Sequence, residues 1–235
     1  MATARKRRPN QLTQARADAP ATRASKKVSA RSRSAVPRPA TRATRGSSEE
    51  EPDPAAEVFR VEEVSAKTWP DFEALFGARG SPHYCWCTVY RFRDAHLLSR
   101  EQKRDGMLGL VRAGTPIGVL AYSGDTPIGW CSVGPRESYV RLARSRTMPR
   151  VSAAPTWTVL CFFVQRAQRG KAVTGALLAA AIDAARRHGA EVVEGYPHDT
   201  AGISASHRGS SKVFRALGFV RAGTRWSLDV RGPKK

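Results

Sequence analysis

The sequence predicts a mixed α/β domain behind a disordered basic N-terminal arm, and three observations carry that prediction. In residues 157–164 both alternating sets are apolar: Trp157, Val159, Cys161 and Phe163 on one, Leu160, Phe162 and Val164 on the other. That is the pattern of a central strand covered on both faces. From Val173 the apolar residues recur at helical spacing through Leu177, Leu178, Ile182 and Ala185, and Gly189 follows Arg186, Arg187 and His188 as a stop with dipole-matched cations. The third observation is a break in composition. The first 48 residues hold 13 Lys and Arg against the single acid Asp18 and almost no large apolar side chain, too little buried surface to offset the entropy of ordering.

Taken in order, residues 1–56 read as a disordered basic arm ending in the acidic linker Glu49-Glu50-Glu51, and residues 57–232 as one domain. Residues 58–64 alternate as a first strand. Residues 68–76 read as a short helix with Pro70 in its first turn and Gly77 at its end. Ser99 with Gln102 forms a capping box for a helix through Met107, Leu110 and Val111, stopped by Gly114 and Pro116. Residues 117–122 and 127–133 pair as strands around the turn at residues 123–126. After the central strand and the long helix, residues 191–196 form the next parallel strand. Ser210 or Ser211 caps a last helix, and residues 219–230 close with a hairpin.

Composition narrows the classes. The chain of 235 residues carries 40 Lys and Arg against 20 Asp and Glu, a formal charge of +20. No run of 18 apolar residues exists and the N-terminus lacks the apolar middle of a secretory signal, so the expectation is a soluble, cytoplasmic protein. An Arg- and Ser-rich, acid-poor arm also resembles an organelle transit peptide, although its prolines and missing amphipathic stripe count against that. Four cysteines suit reduced thiols better than a disulfide framework. His83, Cys85 and Cys87 invite a zinc reading, but the C-x-C spacing is tight and a fourth ligand is not supplied nearby, so no metal is expected. Basic clusters in the arm, at residues 5–8 and 31–38, are suited to contacting nucleic-acid phosphates without reading sequence; no interleaved aromatics are present to stack on bases.

Between the central strand and the helix lies Gln168-Arg169-Gly170-Lys171-Ala172-Val173-Thr174. A turn that opens a helix presents unpaired backbone N–H groups at the positive end of the macrodipole, and two cations add to it, so a pyrophosphate-bearing ligand is the natural reading. The segment is neither a P-loop nor a dinucleotide fingerprint, since the Gly-Lys-Ser/Thr ending of the one and the three glycines of the other are missing. Val164, four residues, Arg169-Gly170-Lys171 and the helix from Val173 resemble the acyl-CoA signature of the GNAT superfamily of N-acyltransferases. Residues 212–219, KVFRALGF, resemble that family's final helix, and residues 129–136, GWCSVGPR, lie on a preceding strand.

The resemblance implies a mixed sheet whose two central parallel strands splay apart, with the pantetheine arm of acetyl-CoA in the gap. Phe163 and Val164 would contact it through their backbone, and Arg169, Gly170, Lys171, Ala172, Val173 and Thr174 would hold its pyrophosphate. It implies transfer of an acetyl group to a primary amine, without a metal. Residues 83–90 would border the acceptor pocket. Tyr84, Trp86 and, on its strand, Trp130 are the candidate substrate-binding aromatics, although each also reads as core and the residues leave both readings open. Glu194 is the best placed general base, ahead of Asp199, His198 and His207, while a structural Glu at a strand end fits equally. Two departures stand out. Ala172 and Thr174 replace the glycine and small residue usual in the turn, and Phe214 occupies the position where many members carry a tyrosine that protonates the leaving thiolate. Tyr196, Ser211 or water would then substitute, or the domain would bind acyl-CoA without turning it over. That last possibility supplies the alternative reading, a basic nucleic-acid-binding protein with a degenerate acyl-CoA-sensing domain. Cys161, between Leu160 and Phe162, reads as an inert core thiol.

Overall fold

The computed structural model describes residues 59–199 and 207–232. The basic arm, its suggested nucleic-acid contacts and residue 58 of the first predicted strand lie outside the described residues. Within them the elements follow the predicted order. Strand β1 (Arg60–Glu63) leads to helices α1 (Trp69–Gly77) and α2 (Arg100–Arg112), then to β2 (Val119–Ser123), β3 (Thr126–Pro135) and β4 (Thr156–Val164). Helix α3 (Val173–Arg187), β5 (Val192–Gly195), α4 (Ser211–Ala216), β6 (Val220–Ala222) and β7 (Arg225–Asp229) complete the domain. One seven-stranded sheet holds all strands in the order β1-β2-β3-β4-β5-β7-β6. β4 and β5 are parallel and every other pair is antiparallel.

Local chemistry explains most boundaries. The capping box of α2 is complete, with the Gln102 amide donating to Ser99 Oγ at 3.2 Å and the Ser99 amide to Gln102 Oε1 at 2.8 Å. The β2–β3 hairpin closes over Gly124 and Asp125, and Gly124 supplies the positive φ such a turn demands. At α4 the expected serine cap is not what forms. Ser210 occupies the N-cap without a side-chain bond, and Asp199 Oδ1 instead accepts from the Ser211 amide at 2.8 Å. A carboxylate suits the positive helix end better than a hydroxyl does.

The sheet is covered on both faces. Val119, Ala121, Cys131 and Val159 pack beneath Leu177, Leu178 and Ala181 of α3, each buried leucine stabilising by roughly 1.5–3 kcal/mol relative to exposure. Leu120, Tyr122 and Trp130 pack beneath Phe72, Leu75 and Phe76 of α1 and Met107 of α2. Gly129 lets α3 approach, because a Cβ there would stand 3.3 Å from both Leu177 and Val173. The strict alternation expected along β4 breaks in its middle. Trp157, Val159, Phe162 and Val164 face α3, whereas Cys161 and Phe163 face α1 and α2, and Leu160 joins a third cluster with Tyr196 and Met148. The cause is a bulge: β3 pairs Ser132 with Cys161 and Val133 with Val159, leaving Leu160 as an extra residue that resets the phase.

Candidate active site

The bulge falls where β4 and β5 part. Their pairing runs from Thr156 opposite Val192 to Val159 opposite Gly195 and stops, while β4 continues to Val164. Phe214 sits at the divergence, fully buried. A Cβ on Gly195 would come within 2.3 Å of its ring. The splay of the central parallel strands is therefore part of the packed core.

Beyond the bulge, the backbone of β4 presents alternate residues to the gap. The Phe162 amide turns away from β3 and donates to His207 O at 2.6 Å, whereas the Gln165 amide turns toward β3 and donates to Ile128 O at 2.9 Å. Phe163 belongs to the set that faces β3, opposite Trp130. Phe162 and Val164 are thus the residues whose peptide groups face the gap, with Phe163 between them paired to β3. The Val164 carbonyl accepts from Arg169 Nε at 3.2 Å, which folds the basic turn back on the strand end.

That turn has an unusual backbone. Gly170 has φ +85° and Ala172 φ +62°, and Ala172 is the N-cap of α3 without any side-chain bond. A left-handed alanine costs on the order of 1–2 kcal/mol. The Ala172 carbonyl accepts from the Gly175 and Ala176 amides, so the amides of Val173 and Thr174 precede any carbonyl of the helix. Arg169, Gly170 and Lys171 are exposed, and the half-buried Gln168 beside them has a side-chain oxygen without a protein partner. Cations and free helix amides fit a pyrophosphate group, whereas the Gln168 oxygen, an acceptor, does not contribute to such a site.

Glu194 is buried on β5. Its Oε1 accepts from Arg136 and, at 2.9 Å, from Thr158 Oγ1, and its Oε2 lies 3.8 Å from Arg225. Arg136, itself buried, also donates to Met148 O at 2.5 Å and lies 3.4 Å from Tyr196 Oη. Burial, followed by the Glu194 charge, pushes the Tyr196 hydroxyl upward and keeps it protonated near neutral pH. Tyr196 and Asp199 line one cavity of about 430 Å³ with His198. Ser211 begins α4 with its amide on Asp199, and Glu194 is among the lining residues of none of the described cavities.

The three candidate aromatics separate. Tyr84, 59% exposed, lines a cavity of about 260 Å³ together with Leu160, Cys161 and Phe163 of β4. Trp86 and Trp130 lie in the core against Phe72 and Phe76, each with an indole nitrogen that meets no protein acceptor. Trp86 and Cys87 both have left-handed backbones, φ 45° and 50°, strain of a kind that recurs at functional sites. Cys85, Cys87 and Cys161 line the cavity as thiols. Burial, then Cys87, raises Cys85 to about 11, and the bond to Cys161, then burial, holds Cys87 high. Cys161 is thus a wall residue, half-buried. Sequence reading passed over Arg208, whose guanidinium donates to Tyr90 Oη at 2.8 Å across this cavity. The only signal in the sequence was its place beside a glycine, Gly209, which the structure holds at φ +75° close to Phe162 and Phe214. Among the described residues no group of three His, Cys, Asp or Glu is disposed to hold a metal ion, and no helix is long and apolar enough to cross a membrane.

A mixed sheet with splayed central parallel strands above a basic helix-opening turn defines a GNAT-like fold. The sequence matches the model of the Acetyltransferase (GNAT) family over residues 63–219, and the chain belongs to that family. A search of curated proteins finds no match. Among solved structures, yncA from Salmonella typhimurium with its cofactor acetyl-CoA is similar at 18% identity and a TM-score of 0.45, over 74% of this chain and 94% of that one. Ribosomal-protein-alanine N-acetyltransferase from Brucella melitensis is 17% identical, with a TM-score of 0.44, over 72% and 99% of the two chains. A GNAT family acetyltransferase from the same organism, in complex with acetyl-CoA, is 13% identical with a TM-score of 0.41, over 76% and 91%.

Proposed function

We propose that the chain transfers an acetyl group from acetyl-CoA to a primary amine. The observation that carries this reading is the gap beyond Gly195, lined by outward-facing peptide groups of β4 and ending at a cationic, left-handed turn into α3. In this reading Arg169, Gly170, Lys171, Ala172, Val173 and Thr174 hold the pyrophosphate, and the Val164 peptide group orients the pantetheine arm. Acetyl-CoA, when bound, supplies the activated thioester. The protein contributes orientation and proton handling. Tyr196 keeps its proton near neutral pH and is the best hydroxyl to offer one to a leaving thiolate, a task the apolar Phe214 cannot perform. Ser211 is the second hydroxyl in this region, while Glu194 positions Arg136 and through it Tyr196. Tyr84 borders the acceptor.

The test is calorimetric titration of acetyl-CoA into the full chain and into the Arg169→Glu, Lys171→Glu double variant, paired with thiol release on a panel of amines. Loss of two charge-assisted contacts should weaken binding by on the order of tenfold or more. Unchanged affinity in the double variant would remove the turn from the cofactor site and with it the basis of the reading.

A further inference from the structure

The 260 Å³ cavity beside the β4 bulge has walls whose chemistry says what amine belongs there. Phe163, Leu160 and Phe76 line it together with Cys85, Cys87 and Cys161, so the part of a ligand that enters is apolar. Its volume is below that of pockets for drug-sized ligands and suits one side chain. No carboxylate lines it, so nothing there pairs with a second ammonium group. Beside His207 its wall carries one arginine, Arg208, half-buried, steered by Tyr90 Oη, and without an acidic partner among the described residues. The residues adjoining His207 on its other side, 200–206, contain no acid in their sequence.

The neighbouring surfaces repeat the sign. Val89 and Tyr90 also wall a 420 Å³ cavity that carries Arg93, Arg141 and Arg144 and no carboxylate. On the other side Arg208 is shared with the 430 Å³ cavity, where Arg221 adds a charge and the one lining carboxylate, Asp199, is taken by the Ser211 amide. Polyamines and aminoglycosides, which carry several positive charges, would meet like charge within a Debye length at every approach.

We propose that the acceptor is a small amino-acid-like amine, its apolar or aromatic side chain seated among Phe76, Leu160 and Phe163 and its carboxylate on Arg208. This rests on the transferase reading for the word acceptor, but the pocket chemistry stands on its own residues. A guanidinium with an open face recognises a carboxylate by charge-assisted hydrogen bonds. A site built to pair such a group discriminates against an analogue lacking it, because the half-buried donor is then left without its partner.

Calorimetry on the full chain saturated with CoA, using L-phenylalanine, L-phenylalaninamide and spermidine as probes, tests this directly, and thiol release with acetyl-CoA and the same three amines is read beside it. L-Phenylalanine should bind at least tenfold more tightly than its amide, and spermidine should bind more weakly than either. Arg208→Gln should bring the acid and the amide to equal affinity with the melting temperature unchanged. Equal affinity of acid and amide in the unmodified chain, spermidine binding as tightly as phenylalanine, or no binding of any probe each overturns the proposal. Carboxylate-dependent binding without thiol release from any amine would uphold the pocket and defeat the transferase reading. Thiol release with spermidine alone would do the reverse.

Discussion

Replacing Glu194 by Gln separates two roles that one carboxylate can have, a reacting base or a buried anchor. In the structure Glu194 Oε1 serves Arg136 and Thr158, and Oε2 faces Arg225 at 3.8 Å. At that separation, and an effective dielectric of about 20, the Arg225 attraction alone amounts to about 4 kcal/mol before desolvation is charged against it. Glutamine keeps the shape and one acceptor but leaves the buried Arg136 guanidinium without a counter-charge. Breaking a buried pair from one side costs about 3–5 kcal/mol, and retention of the Thr158 bond places this variant near 3. In urea that loss lowers the midpoint by roughly 1.5 M for a slope near 2 kcal/mol/M, and melting should fall by about 6–12 °C. Arg136→Met should cost a similar amount. The Arg136→Met, Glu194→Met pair should cost less than the two single methionine variants added together, by at least about 1 kcal/mol of coupling. A Glu194→Gln protein within about 0.5 kcal/mol of the parent that has lost all transferase activity would refute this reasoning and make Glu194 the reacting base.

Two further perturbations test local features. Ala172→Gly relieves a left-handed backbone worth about 1–2 kcal/mol against an entropy cost of about 0.5–1 kcal/mol, so thermal stability should rise by up to about 1.5 kcal/mol; a fall of that size would contradict the strained turn. Glu63 ties β1 to the end of α3 through Arg187 at 2.7 Å and His188 at 2.8 Å. Burial alone would raise its carboxyl, but these partners outweigh it and hold it below the ordinary carboxylate range. Its contribution is therefore complete above the unfolded value near 4.3 and disappears as pH falls through the folded one. Glu63→Gln should cost up to about 1 kcal/mol at pH 7, as half-exposed pairs do, and the gap to the parent should narrow on acidification; a melting difference that widened toward pH 3 would show the sign to be wrong.

What could be read from the sequence was what neighbours in the chain decide. The capping box at Ser99 and Gln102 spans three residues, and the apolar register of α3 repeats within fifteen, so both were legible without a partner. The bulge at Leu160 was not, because an extra residue exists only relative to the strand opposite, and the apolar run of β4 looks the same with or without it. Asp199 as the cap of α4 acts across 12 residues, and the partner of Glu194 lies 58 residues upstream. The 260 Å³ cavity draws Cys85, Cys87, Leu160, Cys161 and Arg208 from three separate segments, and only the topology brings them together. Trp86 and Trp130 illustrate the converse: a large aromatic near a pocket in sequence is drawn into the core when apolar neighbours such as Phe72 and Phe76 are available to it.

The same packing bears on how the leaving group can be served. Where the resemblance leads one to expect a tyrosine on the last helix, Phe214 presses its ring onto Gly195, Phe162 and Phe219. A hydroxyl on that ring would need room in a core where the ring already meets Phe162, Phe219 and the Gly195 backbone. The strand beside it carries the alternative. Glu194 and Tyr196 are two residues apart on β5 and its extension, and the same Arg136 nitrogen reaches both. Because side chains two apart share a face, an arginine that neutralises the first also fixes the second. In the proposed transfer the acid is therefore Tyr196, at a strand end, in place of a residue on the last helix.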